Sequence, residues 1–151
     1  IANKPDLLIA DEPTTALDAR TKYHIIKLLK KIEKNSNKTI IYITHDLKSV
    51  KGFADKILIM YAGKIVESGP AKTIFENAKH PYSQKLLALM SRSVDSEGKL
   101  AYISGQPPLP DDFPEGCRFH PRCFFAIPSC RSDTPERVGS DAHWWECPVS
   151  K

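Results

Sequence analysis

Leu7-Leu8-Ile9-Ala10 is a short, unbroken apolar run that stops on two adjacent acids, Asp11 and Glu12. Such a run reads as a strand buried on both faces, because alternation is lost where neither face meets water. Further along, Thr39-Ile40-Ile41-Tyr42-Ile43-Thr44 repeats the pattern with β-branched residues and predicts a second buried strand. Between them, Ile25, Leu28, Leu29 and Ile32 recur at helical spacing, with lysines on the other side. Leu47, Val50 and Ala54 fit a short helix after the second strand. Residues 56–62 and 64–67 flank Gly63 and predict a hairpin, followed by helical pieces near 71–77 and 82–90. A β-α-β-α-β order of this kind predicts an α/β layered sheet with crossover helices.

Ligands of open α/β sheets bind beyond the carboxyl ends of the strands. Asp11 and Glu12 occupy that place. Two adjacent carboxylates there can divide labour: one holds Mg²⁺, and the next orients a water for attack on a phosphoryl group. An apolar run followed by Asp-Glu is by itself a weak signal, since a solvated strand end has the same composition.

The 151 residues suffice for one domain, or for part of one plus an appendage. The chain opens at Ile1 and runs almost at once into the first strand, so it is expected to be part of a longer protein. Hydrophobic residues make up 41% and charged residues 26%, ordinary for a globular protein. No apolar run nears the ~18 residues that span a bilayer, so membrane association is expected to be peripheral, through a partner. Charge is uneven: 16 Lys and Arg face nine Asp and Glu over residues 1–92, against six and nine afterwards. The lysines between Lys22 and Lys38 read as a solvated helix face; a nucleic-acid partner is not expected, since arginines and aromatics are not interleaved.

Composition changes along the chain. Eight of the twelve prolines and all four cysteines fall between Pro107 and Pro148. The predicted division is a sheet domain over 1–92, a solvated linker over 93–106 and a Cys/Pro-rich region over 107–151.

In context, Asp11-Glu12-Pro13-Thr14-Thr15-Ala16-Leu17-Asp18 followed by Ile41-Tyr42-Ile43-Thr44-His45-Asp46 resembles the nucleotide-binding domains of ABC transporters. The first segment is similar to their Walker B motif and D-loop, and the second to the strand entering their switch histidine. The resemblance implies a partial P-loop NTPase-like sheet domain with an irregular Cys-rich tail. It implies that Asp11 helps hold the Mg²⁺ of MgATP and that Glu12 is the general base. It places Asp18 in the loop that communicates across a dimer, and His45 at the γ-phosphate. Asp18 also reads as a helix N-cap, and the two roles are compatible. No G-x-x-x-x-G-K-[ST] loop occurs in the 151 residues, so the isolated chain is expected neither to bind ATP tightly nor to hydrolyse it.

The stretch Gly63-Lys64-Ile65-Val66-Glu67-Ser68-Gly69 resembles one shared by importer ATPases. Ile74-Phe75-Glu76-Asn77, His80-Pro81-Tyr82-Ser83 and Ile103-Ser104-Gly105-Gln106-Pro107-Pro108 resemble the oligopeptide and dipeptide permease group, whose architecture nickel importers share. The implied protein is a motor subunit on the cytoplasmic face of the inner membrane. Its partners would be transmembrane permease subunits and a second ATP-binding subunit, and it would not touch the transported solute. The alternative is a regulatory module in which the Cys-rich tail is the working part. An exposed sheet edge would favour self-association.

Cys117, Cys123, Cys130 and Cys147 form a C-x5-C-x6-C-x16-C pattern. Four thiolates can tie together a segment with little apolar core, which favours a metal site over disulfides in a reducing compartment. The lack of C-x2-4-C knuckles favours a [4Fe–4S] cluster over zinc. Phe119, Phe124, Phe125, Trp144 and Trp145 are expected as its apolar shell, and His120 and His143 as surface histidines.

Overall fold

The computed structural model describes residues 5–36, 38–91 and 102–150. It is a mixed α/β structure with two small sheets, dividing into two compact units, Ile1–Phe53 and Ala54–Lys151. Most of the expected linker lies outside the described residues. Among the described residues, no helix is long and apolar enough to cross a membrane.

The first unit is a β-α-β crossover. Strand β1 (Leu7–Asp11) leads to helix α1 (Ala19–Ser36), strand β2 (Thr39–Ile43) and the single turn α2 (Leu47–Val50). β1 and β2 pair in parallel, from Leu7 opposite Thr39 to Asp11 opposite Ile43. A parallel pair needs a long return connection, which α1 supplies. The strands were expected to be buried on both faces, and they are not. Leu7, Ile9, Ile41 and Ile43 are exposed, Ile9 at 60%, while their alternating neighbours are half-buried. Among the described residues this sheet has two strands, and one pleat face is left open. The buried residues here are few: Thr14, Leu29, Ser49 and Val50.

The second unit is built on an antiparallel sheet. Strands β3 (Lys56–Tyr61) and β4 (Lys64–Pro70) form the predicted hairpin. Ala62 and Gly63 at its tip both have positive φ, 47° and 77°, as a two-residue turn matched to strand twist requires. Along β3 the buried residues Ile57, Ile59 and Tyr61 alternate with exposed ones. Helices α3 (Ala71–Asn77) and α4 (Pro81–Met90) follow, and α4 starts as Pro at the first helical position predisposes it to.

The tail is less irregular than its composition predicts. Two 3₁₀ turns, His120–Arg122 and Pro128–Arg131, precede the short strands β5 (Arg137–Gly139) and β6 (Trp144–Glu146). β6 pairs with β4, Glu67 opposite Trp145, giving the order β3-β4-β6-β5. Three-residue strands are too short for a periodic signal, and the partner of β6 lies far back in sequence. Gly69 permits the join, because a Cβ there would stand 2.8 Å from the His143 ring.

One buried carboxylate ties these parts together. Glu67 is fully buried; its two oxygens accept the Lys79 N–H (2.8 Å) and the His80 N–H (3.0 Å), and Oε1 lies 2.8 Å from His143 Nε2. His143 is therefore no surface histidine: its ring is needed to satisfy the buried acid. His80, itself buried, accepts the Tyr82 N–H on Nδ1 and caps α4. Arg122 reaches back to the Ile103 and Ser104 carbonyls and the Tyr61 hydroxyl, anchoring the start of the tail to the hairpin.

Burial pulls the His80 pKa down to about 4, against the opposing pull of the Glu67 charge. A histidine depressed in the fold stabilises it above its unfolded pKa, and that contribution fades as pH falls from about 6.5 toward 4. The second unit should lose about 3 kcal/mol across that window. Urea melts at stepped pH check this. His80→Asn, which keeps a capping side chain without the titrating ring, should flatten the profile.

Candidate functional site

The in-register parallel pairing brings β1 and β2 to the same edge, so the loops that leave them meet. Glu12 begins the first loop with its N–H donated to the Ile43 carbonyl at 2.9 Å. Its φ is 45°, the left-handed region that a side chain rarely adopts, at a cost on the order of 1–3 kcal/mol. That turn aims the carboxylate at the second loop. Oε1 accepts the His45 N–H (3.1 Å) and stands 2.8 Å from His45 Nδ1, while Oε2 accepts the Thr15 hydroxyl at 2.5 Å. The Thr15 bond foremost, then the His45 bonds, hold the Glu12 carboxyl below the usual range. The hydrogen bonds thus favour the ionised form of Glu12.

The surrounding cleft has a volume of about 410 Å³ and is lined by Glu12, Thr14 to Leu17, Lys22 and Thr44 to Asp46. Two further ties cross it. The hydroxyls of Thr14 and Tyr42 are 3.1 Å apart, and Lys22 Nζ is paired with the Asp46 carboxylate. Lys22 is therefore not part of a solvated face. No spacing rule connects it to Asp46, because α1 and β2 separate them in sequence. Asp46 in turn caps α2 by accepting the Lys48 N–H at 2.9 Å. Sequence reasoning gave Thr15, Lys22 and Asp46 no role of their own at the site: Thr15 and Asp46 entered only as members of the two motif segments, and Lys22 only as one lysine of α1.

The four expected ATP-site residues are not all in one place. Glu12 and His45 meet. Asp11 ends β1, exposed, and does not line the cleft. As an exposed carboxylate beside the general-base candidate, it has the oxygen chemistry that suits Mg²⁺. Asp18 caps α1: Oδ1 accepts the Arg20 and Thr21 N–H groups (2.9 and 3.0 Å), and Oδ2 the Thr21 hydroxyl (2.6 Å). Thr21, through its hydroxyl and its amide, lowers the Asp18 carboxyl below its ordinary range.

In the second unit all four cysteines are free thiols; Cys130 and Cys147 are buried, and Cys117 and Cys123 half-buried. Burial chiefly raises the Cys117 and Cys123 thiols; Cys117 also feels the charge of the other three cysteines, and Cys123 that of Cys147 and Cys130, opposed by Lys85. Cys117 donates its N–H to the Cys130 carbonyl at 2.9 Å, and Gly116, at φ 64°, allows that approach because a Cβ would stand 2.6 Å from the same oxygen. The donor set has all-thiol chemistry. Among the described residues, however, no three His, Cys, Asp or Glu side chains stand together in a metal-holding arrangement. The expected aromatic shell divides: Phe119 and Trp145 are buried, whereas Phe124 (88% exposed) and Phe125 face solvent. Phe119 packs against Tyr61 and Tyr82, in the core of the unit.

Residues 66–130 match the family model described as oligopeptide/dipeptide transporter, C-terminal region. The chain is 44% identical over 135 residues to the dipeptide transport ATP-binding protein DppD of Escherichia coli, covering 89% of this chain and 41% of that protein. It is 45% identical over 142 residues to the protein of the same name from Haemophilus influenzae, covering 93% and 43%. A putative peptide import ATP-binding protein of Brucella ovis is 41% identical over 145 residues, covering 92% and 43%. The chain thus spans about two fifths of the length of the curated relatives it matches.

The capping role of Asp18 can be measured by itself. Asp18→Ala should destabilise the first unit, and Asp18→Asn by much less, since Asn caps as well. Chemical denaturation followed by α1 amide signals reads the difference.

Proposed function

We propose that this chain belongs to the ATP-hydrolysing subunit of an ABC importer for dipeptides or oligopeptides. The observation that carries the reading is the Glu12–His45 contact at the common edge of two parallel strands. The names of the relatives support the substrate class and the ATP-binding role. In this reading Glu12 takes the proton of the water that attacks the γ-phosphate, while His45 orients Glu12 and contacts that phosphate. Asp11 would hold Mg²⁺, whose charge offsets that of the phosphates. Asp18 would serve the dimer-facing loop as well as capping α1. The remaining phosphate cradle would come from outside these 151 residues. Transmembrane permease subunits and a second ATP-binding subunit are the proposed partners, at the cytoplasmic face of the membrane.

Glu12→Gln in the longer protein that contains this chain should lower ATP hydrolysis about 100-fold or more while nucleotide binding persists. Hydrolysis at the unaltered rate would overturn the reading. The isolated chain should show no Mg²⁺-dependent hydrolysis above its own Glu12→Gln control.

For the tail, the proposal is that Cys117, Cys123, Cys130 and Cys147 hold a [4Fe–4S] cluster, favoured over zinc. Four free thiols in one proline-rich segment support it, together with spacings unlike zinc knuckles. Anaerobic purification with iron, sulfide and zinc analysis tests it. A brown protein with iron and sulfide in equal amounts is expected; one zinc and no colour would replace the cluster with a structural zinc site.

A further inference from the structure

The contact between Glu12 and His45 depends on a loop that has little else to hold it. The His45 side chain is 77% exposed, so packing does not fix the ring. What fixes it is the backbone of residues 44–46, and Asp46 organises that backbone. The Asp46 N–H donates to the Thr44 hydroxyl at 3.0 Å, its carbonyl accepts the Ser49 N–H and hydroxyl, and its Oδ1 accepts the Lys48 N–H. The other carboxylate oxygen is taken by Lys22. Lys22 stands in the first turn of α1, the helix that Asp18 caps. Both side chains of this pair are about 70% covered, at 28% and 29% exposure, so solvent screens it less than an open surface pair.

We infer that Lys22 is a positioning residue: through Asp46 it anchors the residue 44–46 turn to α1, and so keeps His45 on the Glu12 carboxylate. The inference rests on the hydrolytic reading of Glu12 and His45 for its functional meaning, but the geometry it describes is measurable without hydrolysis. The ion pair ties the first turn of α1 to the loop that follows β2. A displacement of the loop before α1 would therefore carry the His45 turn with it.

The test follows the His45 N–H, which donates to Glu12 Oε1, by ¹⁵N–¹H NMR at one pH in this chain and four variants. Lys22→Met removes a positive charge, and Asp46→Asn removes a negative one while keeping a side chain that can cap α2. If the two charges acted on this N–H through space, the two variants would shift its proton in opposite directions. Loss of positioning instead frees the N–H from the Glu12 carboxylate, so both variants should move the proton upfield and quicken its exchange with solvent by about tenfold. The double variant should go no further than either single one, because both remove the same pair. Lys22→Arg should keep the position and exchange of the unaltered chain.

Opposite shifts, or no shift in either variant with the amide spectrum intact, would overturn the inference. So would collapse of the spectrum in both, since the pair would then sustain the fold and not the turn. ATP hydrolysis by Glu12→Gln in the longer protein, read separately, distinguishes failure of the hydrolytic reading from failure of the positioning.

Discussion

The parallel register of β1 against β2 is the constraint on which the candidate site depends. Asp11 lies opposite Ile43, so the two strands end together and the loops beyond them emerge side by side. A slip of one residue would turn every side chain to the other face and part Glu12 from His45. The register is reinforced beyond the strands by the Glu12 N–H on the Ile43 carbonyl. Glu12 meets it at positive φ, and several hydrogen bonds to its carboxylate and backbone offset that strain. Strained backbone and a charged group held in place coincide at one residue, as they do at sites where geometry serves chemistry.

In the second unit the corresponding constraint is Glu67. A carboxyl group buried away from water must have its oxygens met by partners, and here two backbone N–H groups and the His143 ring meet them. Those partners come from the segment entering α4 and from the tail, so one acid fixes three parts of the chain. The pairing of β6 with β4 and the close approach at Gly69 follow the same junction. The cysteines are thus carried on a segment hydrogen-bonded to the hairpin.

Much of the architecture was legible. The apolar run at Leu7, the β-branched run at Thr39 and the spacing of Ile25, Leu29 and Ile32 identified the β-α-β unit, because burial imposes those periods directly. The hairpin at Gly63 and α3 were equally plain, since turn and helix signals there are local. Less legible were β5 and β6, whose three residues each gain their shape only from pairing with β4. The exposure of Ile9 and Phe124 and the partial burial of His143 ran against composition, because residue type does not say which surfaces find a partner.

By itself the sequence determined the chemistry on offer: two carboxylates at the end of a strand, a histidine after the next strand, and four thiols in a proline-rich segment. It also determined the local elements that carry them. Tertiary structure alone decided which of these meet. It brought Glu12 to His45, set Lys22 on Asp46, left Asp11 outside the cleft and buried Glu67 against His143. The physical reason is range. Periodicity and capping act over a few residues and are written in order along the chain, whereas ion pairs and shared strand edges join residues that only the completed fold makes neighbours.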